Sequence, residues 1–395
     1  MRTSIPRAPS RCPLLLLSSV LVLLLFGCAT APENGASSPT GETASPAAGT
    51  WRSQDAPGIF FAETELGCYC LGGGFLYFAP AGSTEFQLLC SRPDCAHTDE
   101  NCNAYAGEGF TYYNGNLYAV CSGINSDGFP QFQVVQISPD GSSHEHIGCF
   151  QTVDYPDGST RGPRLFTLHG KCAYYTIVSN HPGASGYESH IFRMDVTTGK
   201  STELPVSEES ARCTGGYYFQ FDGEKWYFVT SQVLEDGSES CYLACVDMEA
   251  GAYTLVAEGD CFNRYVVEDG IISYFQPGQG FCQLDTASGE DQCILPQGDG
   301  EAWCISTAHY DRDRVYCTAS TMTDQGKTWC LQIYDRDYNL IDQVAYSAGL
   351  SYLTATQDYI LFGRAPETGT GLIPAAYINK SDIGSGNLEL ISIGG

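Results

Sequence analysis

The sequence predicts an all-β chain, a seven-bladed β-propeller of four-stranded blades, preceded by a signal peptide and a flexible tether. Three observations predict it. Short runs of Tyr, Phe, Val, Ile and Thr alternate with polar residues and end at Gly, Asp or Asn, which is typical of strands joined by tight turns. A unit of about 47 residues recurs seven times in residues 51–395. The chain is 12% aromatic, which suits the space between twisted sheets.

Residues 1–27 have the pattern of an export signal. Three arginines and no acid are followed by an apolar run from Leu14 to Phe26. The run is shorter than the roughly 20 residues that a membrane-spanning helix needs, so we expect a cleaved signal peptide. The sequence around Cys28, Leu-Phe-Gly-Cys, resembles the lipobox of bacterial lipoproteins, which implies that Cys28 is acylated. The alternative is an ordinary secretory signal with a chance cysteine.

The next segment, residues 28–50, predicts a lipidated cysteine and a disordered linker. From Ala29 to Thr50 it contains no aromatic residue and no aliphatic residue larger than Ala, so it cannot bury apolar area. Loss of residues 1–27 would take the formal net charge from −27 to −30. Anionic headgroups repel such a body, so the membrane would be a partner through the lipid anchor only. The expected location is extracytoplasmic, anchored by lipid at the bacterial cell surface.

The acidic balance also excludes one class of partner. The chain has 19 Lys and Arg against 46 Asp and Glu, and it offers no general basic surface for a phosphate backbone. We therefore expect no nucleic-acid binding.

The repeat is clearest between residues 216 and 259. There GYYFQFDGEKWYFVTS is followed by a polar loop and by CYLACVDMEAGAYTLVAEG, which predicts strand A, an Asp-Gly turn, strand B, a loop, strand C, an Asp-x-x-x-Gly turn and strand D. Two landmarks alternate along the body. The strand-B landmark falls at Tyr77, Tyr118, Tyr174, Tyr227, Tyr274, Tyr316 and Leu361. The residue that opens the C–D turn falls at Cys90, Ser138, Asp195, Asp247, Asp285, Asp335 and Asn379.

Ring closure follows from the repeat, because a four-stranded unit with two apolar faces cannot bury both alone. The segment from Gly58 to Leu66 is the candidate for an extra strand that pairs across the seam of the ring. The motifs FDGEKWYF and CVDMEAG resemble blades of the TolB-like and lipoprotein-receptor-like propellers of bacterial surface lipoproteins. This resemblance covers roughly residues 60–395. It implies the fold and leaves the function open.

Seventeen of the 19 cysteines lie beyond Cys28. Counting outward from the turns places Cys282 opposite Cys293 on strands C and D of blade five. The same counting places Cys304, Cys317 and Cys330 at mirror positions on three adjacent strands of blade six. Opposed residues have Cα atoms about 4.5–5.5 Å apart, within disulfide range. The alternative is that these cysteines are reduced and act as small buried hydrophobes.

A Cys- and His-containing segment is the candidate metal site. Its potential ligands are three thiolates and one imidazole, which match a closed structural zinc site although the spacing is not that of a standard zinc finger. Alternatives are a disulfide among the three cysteines, or free thiols. The segment is expected to replace the C–D turn of blade one, on the face opposite the longest loops, which favours a structural role. The residues are Cys90, Cys95, His97 and Cys102.

The longest loops are the candidate binding site. Phe150–Arg164 is predicted as the D–A connection between blades two and three, and Ser179–His190 as the B–C loop of blade three, so the two should be adjacent on one face. The alternative is plain variation in loop length. The candidate binding residues are Asp154, Tyr155, Arg161, His181, Tyr187 and His190.

No catalytic motif is found in the sequence. The leading hypothesis is therefore a binding or interaction module for a protein, peptide or glycan ligand, with a structural zinc ion as the one candidate cofactor. One alternative is a polysaccharide- or peptide-degrading hydrolase or lyase with carboxylates that converge at the central channel. The other is a structural component of an envelope complex, which should expose a large aromatic patch.

Overall fold

The computed structural model describes most of the body of the chain. The predicted signal peptide, Cys28 and the predicted linker of residues 28–50 lie outside the described residues. The described ranges are 52–53, 60–124, 130–154, 160–163, 165–180, 187–204, 214–233, 238–248, 252–259, 262, 265–276, 278–297, 304–323 and 326–394.

The predicted seven-bladed propeller is confirmed. Seven antiparallel sheets follow one another along the chain, and within each sheet consecutive strands are neighbours. The first three blades are β2 (Phe61–Thr64), β3 (Gly67–Gly72), β4 (Phe75–Pro80) and β5 (Gln87–Leu88); β6 (Gly109–Tyr113), β7 (Asn116–Ile124), β8 (Pro130–Ile137) and β9 (His144–Cys149); and β12 (Leu165–His169), β13 (Cys172–Asn180), β14 (Tyr187–Asp195) and β15 (Lys200–Leu204).

The remaining four blades are built in the same way. They are β16 (Thr214–Asp222), β17 (Lys225–Val233), β18 (Glu239–Asp247) and β19 (Ala252–Glu258); β20 (Tyr265–Glu268), β21 (Ile271–Gln276), β22 (Gly280–Asp285) and β23 (Asp291–Pro296); β24 (Cys304–Tyr310), β25 (Arg314–Thr323), β26 (Gly326–Asp335) and β27 (Leu340–Tyr346); and β28 (Ser351–Ala355), β29 (Tyr359–Arg364), β30 (Ile373–Asn379) and β31 (Ile391–Ser392).

Tight turns set the register of each blade. In blade four, Asp222 pairs with Lys225 across a two-residue turn, and Gly223 adopts a φ of 58° there. A two-residue hairpin turn needs this left-handed conformation, which glycine adopts without steric cost. In every blade the A–B and C–D turns lie at one end, here called the turn face. The B–C and D–A connections lie at the other end, the loop face.

The hydrophobic core lies between the blades. Tyr174 of blade three and Trp226 of blade four have ring centroids 5.4 Å apart, within a cluster that also contains Ile191 and Phe221. Each sheet is therefore covered by its neighbours, as the repeat predicted. Neighbouring innermost strands contact one another from β2 through β24, and blade six shares a core cluster with blade seven.

Blades one and seven close the ring without sharing a sheet. The Leu372 N–H donates to the Leu71 carbonyl at 3.0 Å, and the Cys70 thiol donates to the Leu372 carbonyl at 3.2 Å. Phe61 and Leu353 pack in one cluster across this seam. The expected extra strand at Gly58–Leu66 was wrong, because β2 from that segment is the innermost strand of blade one.

Blade one differs from the expectation by one strand. Tyr77 lies on the third strand, β4, and Tyr69 occupies the strand-B position. Cys90 follows strand D and does not open a C–D turn. The misassignment arose because Gly73 and Gly74, with φ values of 63° and 83°, form the B–C turn and resemble an A–B turn in sequence.

Two short pairings lie outside the repeat. β1 (Arg52–Ser53) pairs with β24 and extends the sheet of blade six at its innermost edge. β10 (Val153–Asp154) pairs with β11 (Thr160–Arg161) in the connection between blades two and three. In the part of the chain that the structure describes, no helix has the length and apolarity needed to cross a bilayer.

The cysteine registers are partly as expected. Cys282 does lie opposite Cys293. The predicted mirror positions of the cysteines in blade six were wrong. The A–B and B–C turns of this blade are centred later in the sequence than the midpoints between the cysteines. Cys304 lies opposite Ser320, Cys317 opposite Gln332, and Cys330 opposite Ala319.

Candidate metal centre

Tight turns fold the segment between β5 and β6 back on itself. The Cys95 N–H donates to the Arg92 carbonyl at 3.4 Å, and the Cys102 N–H donates to the Asp99 carbonyl at 3.1 Å. The first of these turns has Pro93 at its second position, where the fixed φ of proline is favoured. Turns of this kind bring residues that are four to seven positions apart in sequence close together in space.

Four potential metal ligands converge in this segment. Their donor atoms all lie within 4.8 Å of one another, and the His97 Nδ1 atom is 3.4 Å from the Cys102 sulfur. A tetrahedral zinc ion with ordinary bond lengths would separate an imidazole nitrogen from a sulfur by about 3.5 Å. The ligands are Cys90, Cys95 and His97, which are partly buried, and Cys102, which is buried.

The backbone at His97 supports a role beyond turn formation. Its φ is 56°, in the left-handed region that few residues other than glycine adopt. Such a conformation costs on the order of 1 kcal/mol and is common at sites where it aims a side chain. Here it aims the imidazole toward Cys102.

The electrostatics of the cluster favour a cation. Burial raises the pKa of the Cys90 thiol. Hydrogen bonds from the Arg92 and Asn103 N–H groups and from neighbouring thiols lower it by more than burial raises it, so the net pKa lies below the ordinary 9.0. Burial raises the pKa of Cys102 to about 12, and the proximity of Cys90 adds to the increase. Thiolates this close together repel one another, and a divalent cation between them would offset that repulsion.

The position of the segment corrects the expectation. The structure places it in the D–A connection between blades one and two, whereas the sequence predicted an insertion in the C–D turn of blade one. The argument that it lies opposite the long loops therefore fails. It lies on the outer rim, against the C–D turn of blade two: both Ser91 and Asn103 donate to the Gly141 carbonyl, at 3.3 and 3.0 Å.

The structure brings the two predicted binding loops together in part. The hairpin of β10 and β11 contacts β13, the strand that leads into the B–C loop of blade three. Asp154 is exposed on this hairpin, and the His190 Nδ1 atom lies 2.6 Å from Glu203. Arg161 and Tyr187 are placed on β11 and β14, whereas Tyr155 and His181 lie outside the described residues.

Carboxylates at the ends of innermost strands were not singled out from the sequence. The Asp222 carboxylate accepts the N–H groups of Asp269 and Gly270 in blade five. Glu268 pairs with Arg336 of blade six at 2.5 Å. These described carboxylates join one blade to the next at the turn face. The sequence signal that could have identified them is an acid at the end of strand A in successive repeats.

The chain is similar to several solved structures at low sequence identity. It is 11% identical to BamB from Moraxella catarrhalis, covering 80% of this chain and 96% of that one, with a TM-score of 0.40. It is 12% identical to the β-propeller domain of the trilobed protease from Pyrococcus furiosus, covering 59% and 70%, with a TM-score of 0.37. It is 10% identical to an oligogalacturonate lyase from Vibrio parahaemolyticus, covering 71% and 78%, with a TM-score of 0.45.

No protein-family model and no curated protein sequence matches the chain. At these identities the structural similarities carry no information on function. The fold rests on the strand order itself, which is that of a seven-bladed β-propeller.

Proposed function

We propose that the chain is a lipid-anchored, extracytoplasmic β-propeller that binds a protein, peptide or glycan through its loop face. We further propose that it carries one structural zinc ion at Cys90, Cys95, His97 and Cys102. The resemblance to surface-lipoprotein propellers and the lipobox-like sequence at Cys28 support the location.

The observation that carries the binding proposal is the hairpin at the entry to blade three. The connection from blade two folds as β10 and β11 and contacts β13. Strands β13 and β14 support it, with Asn180 paired to Tyr187 at their far end. A rigid scaffold with extended loops at one end is where ligand-binding groups usually lie.

A binding assay with paired variants tests this proposal. The purified full chain is applied to arrays of glycans and peptides, and every hit is repeated with Asp154→Ala and with Asp358→Ala. Asp154 is exposed on the blade-three hairpin, and Asp358 is exposed in an A–B turn of the opposite face. We expect Asp154→Ala to weaken binding about tenfold, as loss of one ligand hydrogen bond to a charged group does. We expect Asp358→Ala to bind like the parent chain.

Two outcomes would count against a pure binding module at this face. Equal loss with both variants would place the ligand elsewhere. Turnover of an arrayed glycan or peptide by the parent chain would favour the hydrolase or lyase instead.

The zinc proposal rests on the donor set and its geometry. Three sulfurs and one imidazole nitrogen within 4.8 Å make a closed set, which suits structural zinc and leaves no open position for catalysis. Elemental analysis of the purified chain should find one zinc ion per chain. Alkylation before and after zinc removal should reveal three additional reactive thiols. A disulfide among Cys90, Cys95 and Cys102 in peptide maps would refute zinc binding.

A further inference from the structure

The metal ligands are flanked by the residues that hold blade two. Ser91 follows the first ligand, Cys90, and Asn103 follows the last ligand, Cys102. Both side chains donate to one acceptor, the carbonyl of Gly141 in the C–D turn of blade two. Asn103 is 8% exposed, so its amide is a buried contact. The positions of both donors are therefore fixed by the same ligand set.

The turn of blade two is packed tightly against the start of the segment. Gly141 has a φ of 69°, and a Cβ atom placed there would lie 1.4 Å from the Leu89 carbonyl oxygen. On the other side of the turn, the Tyr69 hydroxyl donates to the Pro139 carbonyl at 3.1 Å. Tyr69, Ser91 and Asn103 thus make three hydrogen bonds to this turn, and two of them depend on the conformation of residues 90–103.

The same segment completes the outer part of blade one. Strand β5 has only two residues, whereas the fourth strand of blade two has six. The Leu76 N–H donates to the Ala104 carbonyl at 2.8 Å, and the Ala106 N–H donates to the Gly74 carbonyl at 2.9 Å. The residues that follow the last ligand therefore bind β4 and its preceding turn, where blades two to six have a longer fourth strand.

The segment packs on the core mainly through its cysteines. Cys102 is 1% exposed and lies in a hydrophobic cluster, against which Cys90 and Cys95 pack. Residues 91–94 and 98–101 are exposed, so most of the loop contributes no burial to offset a backbone entropy cost of about 1–2 kcal/mol for each ordered residue. Metal coordination can offset that cost because binding free energy is also folding free energy.

From these contacts we propose that zinc at the Cys90–Cys102 site fastens blade one to the C–D turn of blade two, so that metal occupancy controls how firmly this turn is held. The inference rests on the proposed zinc site. It adds a role in joining two blades, and it places that role at one seam out of seven.

Hydrogen exchange tests the inference on the full chain. The Ser138, Gly141 and Ser143 amides all donate within the blade-two turn. Removal of zinc by a chelator should speed their exchange, and that of the Leu76 amide, about tenfold or more. The C–D turn of blade five is the internal control. Its Asp285 and Gly289 amides make the corresponding bonds and should change less than about twofold.

Variants separate the metal site from the seam. Cys95→Ser should lose zinc and show the same faster exchange as chelation, whereas Cys149→Ser, a partly buried thiol in blade two, should show neither effect. The double variant Ser91→Ala with Asn103→Ala keeps all four ligands. It should retain one zinc ion per chain and still exchange faster in the blade-two turn.

The outcomes distinguish the two proposals. If the chain binds no zinc, or if peptide maps show a disulfide within the cluster, both the zinc site and its role in the seam are refuted. If zinc binds with the expected stoichiometry but chelation leaves the blade-two turn unchanged, the zinc site stands and its role in joining blades one and two is refuted.

Discussion

At the scale of single residues, a largely buried ion pair links two blades. The Asp311 Oδ2 atom accepts hydrogen bonds from the Lys380 ammonium and the Tyr316 hydroxyl, each at 2.6 Å. The Asp311 and Lys380 side chains are 11% and 12% exposed. Lys380 lies in a short 3-10 helix of blade seven, so the pair joins blades six and seven.

The environment of Asp311 determines when this link is present. Burial raises the pKa of the carboxyl, but the hydrogen bonds from Lys380 and Tyr316 and the charge of Lys380 lower it more, so the net pKa lies below the ordinary 3.8. A carboxyl with a depressed pKa in the folded state stabilises the fold fully above its unfolded pKa. That contribution is lost as the pH falls through the folded pKa. The relevant window therefore lies below about pH 4.

We predict that Asp311→Asn lowers the free energy of unfolding by about 3 kcal/mol at neutral pH, because Lys380 is left buried without its counter-ion. The difference from the parent chain should shrink as the pH falls below about 4, where the parent carboxyl takes up a proton. Denaturant unfolding across this pH range provides the measurement. Asp313→Asn is the matched control, since that side chain is exposed in the same turn and should change stability by less than about 0.5 kcal/mol. Equal losses in the two variants would contradict the prediction.

At the scale of strands and hairpins, the sequence was most informative where turns are regular. Six of seven strand-B landmarks and six of seven C–D turn positions lie on the predicted elements, because Asp-Gly and Asp-x-x-x-Gly turns fix the register around them. The strands of blade one were assigned incorrectly. Its Gly73-Gly74 turn resembles the turn of a different hairpin, and its short β5 lacks the pattern of a fourth strand.

The candidate metal centre was also predicted only in part. The four Cys and His side chains do converge in the structure, as expected from their proximity in sequence, and their binding of zinc stays a proposal. Ser91 and Asn103 were not predicted, since their partner, Gly141, is 38 or more residues away and no local pattern records such a contact. Local chemistry could be predicted from sequence, and contacts between blades could not.

The hairpin of β22 and β23 contains two cysteines that we expect to form a disulfide under oxidising conditions. Cys282 and Cys293 are register partners on β22 and β23; Cys282 is 2% exposed, whereas Cys293 is exposed to solvent. The Cys293 thiolate should therefore attack oxidised glutathione and form a mixed disulfide, which releases one reduced glutathione. The Cys282 thiolate should then displace the second glutathione and form the Cys282–Cys293 disulfide. The bond closes a loop of about 12 residues and should add roughly 3 kcal/mol to the free energy of unfolding.

Peptide mapping after this treatment should recover the cross-linked pair from the parent chain. Cys282→Ser should instead leave Cys293 as a stable mixed disulfide with glutathione. Cys317 and Cys330 are the internal comparison, because they face Gln332 and Ala319 and should remain reduced. A parent chain that retains glutathione on Cys293 would show that the Cys282 and Cys293 sulfurs do not come within bonding distance.

At the scale of the whole molecule, the acidic body determines how the chain can be held at a membrane. The formal net charge of −27 opposes contact with anionic headgroups, so the proposed membrane attachment would depend on acylation. The prediction concerns Cys28. Cells grown with a labelled fatty-acid analogue should label the parent chain and Cys12→Ser, but not Cys28→Ser. Mass spectrometry of the mature N-terminus should locate the label on Cys28, and label retained by Cys28→Ser would refute lipidation there.

The short strand β1 shows at which face of the ring the described chain begins. Arg52 lies opposite Tyr310, the last residue of β24, and Ser53 lies opposite His309, so β1 runs away from the turn face along the innermost edge of blade six. The blade-three hairpin lies in a D–A connection, at the loop face. The point of entry and the proposed binding surface are therefore at opposite ends of the ring, and a truncation at Arg52 should leave ligand binding unchanged.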